Sequence, residues 1–381
     1  MAPNGAQRVS QRAFWGWRRY RRALRRLSTK SPPVRKVSKV EETSGIASVF
    51  KLGEYALRGT SQIVFVNSPI SGAVMVSALS AVDPLLGVLT FTGAASSTAT
   101  AKALDFDQKA ISSGCLGYNG ALVGAIFAVF LVPNANLSLP TAFLATACGA
   151  AASTALYIPL SRVMTTIPQW TFSFNAVAMS TLAIVKPLSK STENVIETTA
   201  STVAPIADAI VPVSVAFSES EWLLSPLTGV GQIIVHGEPW GGAAVLAAIC
   251  FGGALSKTKE QSRTKAFVEN GLIPACGAVV GSTVGCLTAY FVLGASSESI
   301  VAGLHGFNPA LASLAVSTFF RPSISTAVLA VSSAGATTVL AAGLNSALSV
   351  VGIPAFSLPF CLVAVATMAL ASPTVKAFKL R

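Results

Sequence analysis

Two stretches of this 381-residue chain interrupt an apolar run in the same way: AISSGCLGYNGALVG from Ala110 to Gly124, and SIVAGLHGFNPALAS from Ser299 to Ser313. In each, Gly117 or Gly306 precedes an aromatic residue, Tyr118 or Phe307, and then Asn119 or Asn308. Backbone cannot stay irregular against lipid, because each unpaired peptide group in hydrocarbon costs several kcal/mol. A helix broken inside an apolar region therefore lines a cavity or lies buried in protein; the plainer alternative is a helical hairpin with an ordinary turn. The glycines permit sharp or tightly packed backbone, the asparagine is expected to cap the short helix that follows, and the aromatic faces whatever passes. Gln62 and Gln232 add polar side chains in apolar surroundings, where such groups face a cavity or a partner. Bond-making chemistry has no such support. The two histidines, His236 and His305, come with no Ser-His-Asp, HExxH or Walker pattern, so no enzyme is predicted. His305, inside the second broken stretch, is expected to donate to a backbone carbonyl.

The surroundings of these stretches point to a bilayer. The chain is 52% hydrophobic and 11% charged, against roughly 25% charged in soluble domains. Apolar windows approaching the ~20 residues of a membrane span fall at Ile63–Val82, Leu85–Leu104, Leu139–Leu160, Trp170–Val185, Gly241–Leu255, Leu272–Leu293, Thr326–Leu348 and Phe356–Leu370. Their Gly, Ala, Ser and Thr content suits close helix packing. An all-α polytopic membrane protein follows. The net charge of +12 does not indicate a nucleic-acid partner, because residues 1–40 hold twelve Lys or Arg and no acid, leaving 15 basic against 15 acidic residues elsewhere. The basic tail reads either as a cytoplasmic anchor on anionic lipid or as an organelle transit peptide. Six scattered cysteines, Cys115, Cys148, Cys250, Cys276, Cys286 and Cys361, show no paired spacing. No metal site, cofactor or disulfide framework is expected from them.

The chain also repeats itself. GTSQIVFVNSPISG (Gly59–Gly72) matches GVGQIIVHGEPWGG (Gly229–Gly242); Gly114, Gly117, Asn119, Ala121 and Leu122 match Gly303, Gly306, Asn308, Ala310 and Leu311; IPQWTFSFN (Ile167–Asn175) matches IPAFSLPFC (Ile353–Cys361). The offset moves from 170 to 189 to 186, placing an insertion in the second copy, at the polar Ser256–Asn270. With a weakly amphipathic segment at Ser44–Thr60 and a broken stretch that dips in and returns, each half has five crossings. An odd number inverts the second half relative to the first. Both termini then share one side with seventeen basic residues against eight on the other, although the Lys257–Lys265 cluster opposes that orientation. The expected organisation is a basic tail over 1–43, a first repeat over 44–186, a polar linker over 187–204, a second repeat over 205–372 opening with a helix at Ile206–Phe217, and a short basic tail over 373–381.

These motifs in this order resemble the urea transporter family, from roughly residue 45 to 372. The resemblance implies two inverted repeats of five transmembrane helices, each with a re-entrant half-helix lining a central pore, assembled as a homotrimer that passes urea passively. It places flat slots at Phe65, Tyr118 and Leu122 and at Val235, Phe307 and Leu311. Gln62 and Gln232 fall near a row of oxygens, and Thr171 and Ser357 supply hydroxyls at a constriction. From the residues alone, Phe65 and Phe307 read equally as packing, and Thr171 or Ser357 as bonding its own preceding turn. Ser173 stands where the family has a proline, which puts the local backbone bend in doubt, and Ser357 stands where a threonine is usual. The expected membrane is the plasma membrane with both termini cytoplasmic, or an organelle membrane if the tail is a transit peptide. A pore for ammonia, water or a urea analogue, or an ion-coupled urea transporter, remains the alternative.

Overall fold

The computed structural model describes residues 45–164, 167–193, 218–256 and 261–370. The two basic tails, the Ile206–Phe217 stretch and most of the expected linker lie outside the described residues. All regular elements among the described residues are helices.

The N-terminal half runs α1 (Gly45–Ser61), α2 (Pro69–Val82), α3 (Pro84–Ala103), the short α4 (Gln108–Ser112), α5 (Tyr118–Asn134), α6 (Leu139–Val163) and α7 (Phe172–Glu193). The C-terminal half runs α8 (Glu219–Gly231), α9 (Pro239–Leu255), α10 (Arg263–Phe291), the short α11 (Ser297–Val301), α12 (Phe307–Phe319), α13 (Ile324–Ser349) and α14 (Leu358–Ala369). The window Ile63–Val82 does not form one helix. After α1 the chain makes a single 3-10 turn, Gln62–Val64, and Phe65 takes left-handed backbone with φ 62°. Ser68 then accepts from Ser71 N–H, and Pro69 opens α2, at a bend of 80° to what precedes it. Proline at the first helical position gives up only an N–H that the helix leaves unpaired. The same break recurs between α8 and α9, where Val235 has φ 64° and Pro239 restarts the helix at 68°.

The opening helix of the C-terminal half is set by Ser218, which accepts from the Glu221 N–H while the Glu221 carboxylate accepts from Ser218 N–H. This reciprocal cap starts the helix just beyond the Ile206–Phe217 stretch expected to form it. The insertion expected at Ser256–Asn270 is partly seen as extra turns, Arg263–Leu272, that lengthen α10 at its start. By length and composition α6, α10 and α13 can each cross a membrane, and the two bent pairs can each form one further span. At 20 residues α3 is long enough for a span, but its Thr, Ser and Gly make it less apolar than these.

Small residues let the backbones touch. A Cβ on Gly93 of α3 would overlap the Gly120 carbonyl of α5, and one on Gly124 the Leu89 carbonyl. Ser97 and Thr154 hydroxyls bond across α3 and α6 at 2.7 Å. The halves also meet directly: Ser71 Oγ of α2 donates to the Ala248 carbonyl of α9 at 2.7 Å. Gly93→Ala should therefore destabilise the protein by about 1–3 kcal/mol, since the obstructing atoms are backbone. Gly343→Ala, with nothing within 4 Å of the added methyl, should stay within about 0.5 kcal/mol of wild type. Thermal unfolding of the two variants in detergent checks the contrast.

Candidate functional site

Each broken stretch is a short helix, a tight turn and a second helix aimed inward. In the turns, Gly114 and Gly303 have φ 76° and 75°, which glycine adopts without the steric penalty of a Cβ. A Cβ on Gly117 would lie 2.9 Å from the Gly59 Cα of α1, and one on Gly306 2.7 Å from the Gly229 Cα of α8. The turns are thus wedged against the ends of α1 and α8. Gln62 and Gln232 fasten them there: Gln62 Nε2 donates to the Ser113 carbonyl at 2.8 Å, and Gln232 Nε2 to the Ala302 carbonyl at 2.9 Å. Beside the first turn, Arg58 is held by Glu54 at 2.7 Å and by Asn67 Oδ1 at 2.7 Å, so its charge is compensated.

The asparagines do not cap the helices that follow them. Gly117 and Gly306 occupy the N-cap positions, without side-chain bonds. Asn119 Oδ1 instead accepts from Phe174 N–H at 3.2 Å, and Asn308 Nδ2 donates to the Phe356 carbonyl at 2.8 Å. A long-range partner prevails over the local one because the facing turns bring buried peptide groups that nothing else satisfies. His305 likewise differs from expectation: its Nε2 bonds the Ser299 hydroxyl at 3.0 Å rather than a backbone carbonyl.

The facing turns are Ile167–Thr171 and Ile353–Ser357. Trp170 and Phe356 each have φ 46°, and Asn175 N–H donates to the Thr171 carbonyl as Cys361 N–H does to that of Ser357. The bend questioned at Ser173 is therefore the same in both copies, with or without the proline. Where the two turns meet, Thr171 Oγ1 and Ser357 Oγ bond at 2.7 Å, rather than each turning back on its own helix. Cys361 Sγ lies 3.0 Å from Thr171 Oγ1, and Asn175 Nδ2 donates to Ser357 Oγ at 3.1 Å and to the Thr171 carbonyl at 2.8 Å.

Around this cross the rings close in. Phe65, Tyr118, Val235 and Phe307 pack on the central core that contains Leu122 and Leu311. Tyr118 Oη donates to the Trp170 carbonyl at 2.6 Å. Trp170 packs edge-on to Phe65, Phe319 and Phe360, and Phe356 to Phe130 and Phe174. All ten residues expected at a pore thus lie in or against one core or reach it through the turns. Asn175, Cys361 and Trp170 complete the arrangement and were missed. Asn175 and Cys361 were nevertheless legible: each stands four residues after a hydroxyl in the repeated motif, hence on the same face of its helix.

Thr171, Ser357, Asn175 and Cys361 are neutral at pH 7. A group of neutral donors and acceptors bounded by rings can exchange hydrogen bonds with a neutral polar solute at little net cost. A bare ion would meet no opposite charge there to offset its desolvation.

A family profile described as "Urea transporter" matches residues 54–257 and 266–379. The chain is 31% identical over 316 residues to "Urea transporter 1" of Ovis aries, covering 81% of this chain and 74% of that protein, and equally to that of Capra hircus. The Mus musculus "Urea transporter 1" is 30% identical over 320 residues, 82% of this chain and 76% of that protein.

Asn175→Ala should destabilise the fold by about 0.5–1.5 kcal/mol, because the Ser357 hydroxyl loses a donor while the Thr171 carbonyl keeps the backbone N–H of residue 175. Combined with Ser357→Ala, the loss should be less than additive by about 0.5–3 kcal/mol. A double-mutant cycle on unfolding midpoints measures this, and strict additivity would separate the two groups.

Proposed function

The chain belongs to the urea transporter family, and from that premise we propose that it is a passive, channel-like pathway for urea down its concentration gradient. It is a transporter and not an enzyme. The observation that carries the mechanism is the hydroxyl pair Thr171–Ser357, contributed by two matched turns 186 residues apart in the chain.

Urea is flat and neutral, with four N–H donors and one strong carbonyl acceptor. In the proposed path it enters with its faces against Phe65, Tyr118 and Leu122, and leaves between Val235, Phe307 and Leu311, or the reverse. Between these slots the hydroxyls of Thr171 and Ser357 exchange the bond they make to each other for bonds to urea, with Asn175 and Cys361 alongside. Exchange of one neutral hydrogen bond for another keeps the site shallow, as conduction requires: binding strong enough to admit the solute and weak enough to release it. Gln62 and Gln232 hold the turns that carry Gly117, Asn119, Gly306 and Asn308.

The architecture proposed for this path is two inverted repeats of five transmembrane helices, over 44–186 and 205–372, each with a re-entrant half-helix. The recurrence of left-handed backbone at Phe65 and Val235, Gly114 and Gly303, and Trp170 and Phe356 supports it. The proposal extends to a homotrimer with one pore per subunit, in the plasma membrane, with both termini cytoplasmic and the basic N-terminal tail on anionic lipid.

Purified protein in liposomes should admit urea quickly and equally with or without a proton or sodium gradient. Dependence on either gradient would make it a coupled transporter, and absence of urea flux in folded protein would assign the pore to another small neutral solute. Thr171→Val with Ser357→Ala should lower urea flux about tenfold, the worth of roughly one hydrogen bond in the barrier, while the protein elutes as the wild type does. Unchanged flux would remove these hydroxyls from the mechanism.

A further inference from the structure

The two slots proposed above are not equivalent. On one side, Phe65 lies in a connected cluster of four rings: its centroid is 5.7 Å from Trp170, 5.4 Å from Phe319 and 6.4 Å from Phe360, and Trp170 is itself 5.7 Å from Phe319 and 5.4 Å from Phe360. At the matched positions on the other side, Val235 has no ring, and Phe356 rests on Phe130 and Phe174 instead, at 5.7 and 5.8 Å. The larger aromatic of the matched turn pair, Trp170, therefore stands behind the larger slot residue, Phe65.

Trp170 cannot recede. Its side chain is 4% exposed, its backbone is fixed at φ 46°, and its carbonyl accepts the Tyr118 hydroxyl at 2.6 Å. Through that bond it also holds the second slot residue, and along the chain it leads directly into Thr171. Its ring packs edge-on against Phe65, Phe319 and Phe360.

We propose that Trp170 is the residue that sets the size limit of the pore: its indole holds Phe65 in place, so that urea passes and 1,3-dimethylurea does not. The inference rests on the channel reading. Trp170 is a positioning residue, because its side chain acts on the solute through Phe65. A smaller ring at 170 leaves space into which Phe65 can shift, widening the slot on one face without removing a hydrogen bond.

The test is the ratio of 1,3-dimethylurea to urea permeability, measured in the same proteoliposomes by light scattering. The ratio is independent of how much protein is active, so a merely structural role for Trp170 would leave it unchanged. Wild type should pass urea and largely refuse dimethylurea. Trp170→Leu should raise the ratio about tenfold, the range over which one or two methylene-sized changes are discriminated, and Trp170→Phe should raise it less. Phe356→Leu, whose ring does not reach a slot ring in the same way, should leave the ratio at the wild-type value. If Trp170→Leu does not fold, Trp170→Phe decides. An unchanged ratio with urea flux intact overturns the role of Trp170 and leaves the urea channel standing. An equal rise in Phe356→Leu overturns the assignment of the limit to one side. Failure of wild type to pass urea overturns the channel reading and this inference with it.

Discussion

The structure depends on one requirement: backbone that leaves the helical ladder inside the protein must have its peptide groups paired by something else. Four irregular segments converge on the centre, and each has its own answer. Gln62 and Gln232 satisfy carbonyls ahead of the inward-pointing helices. Tyr118 satisfies Trp170, Asn308 satisfies Phe356, and Asn119 takes the Phe174 N–H. The side chains that look like solute ligands in the sequence are thus partly engaged in holding the polypeptide open. A pore of this kind is possible because its irregular backbone has been stabilised by its own walls, which leaves Thr171 and Ser357 as the polar groups that face each other rather than the frame.

Matched positions in the two halves share backbone shape more faithfully than they share chemistry. Phe65 and Val235 have nearly the same φ, as do Trp170 and Phe356, yet one side has a tyrosine hydroxyl on a carbonyl where the other has an asparagine amide. Asn175 and Cys361 stand at the same offset and each reaches the hydroxyl of the other half, Asn175 that of Ser357 and Cys361 that of Thr171, one with a strong amide donor and the other with a weakly bonding thiol. Conserving the turn while varying the side chain allows the centre to be lopsided without distorting the frame that carries it.

How much of this was legible can be argued residue by residue. The broken stretches were legible because glycine and asparagine stand out in apolar runs, and the hydroxyl pair because the resemblance to the urea transporter family implies hydroxyls at a constriction in IPQWTFSFN and IPAFSLPFC. The break at Gln62–Ser68 was not read as one, since hydropathy counts Ile63, Val64, Phe65 and Val66 as good membrane residues and is blind to the left-handed φ at Phe65. Proline at 69 was the available signal. The asparagines were misassigned for a different reason: capping preference is local, and these two found partners about fifty residues away. The ring cluster around Trp170 draws on both halves, so no window along the chain contains it.

The bond from Ser71 to the Ala248 carbonyl has a consequence for biogenesis. The two groups are 177 residues apart, and at the ~5–20 residues per second of protein synthesis the acceptor is made roughly 10–35 s after the donor. Throughout that interval α2 has been synthesised while the surface it grips has not. The nascent N-terminal half must therefore wait, with Ser71 and the small-residue face around it shielded by lipid, by the insertion machinery or by a chaperone, before its partner arrives. A ribosome stalled after α2 and before Ala248 leaves a chain in which α2 is complete but its seam cannot close.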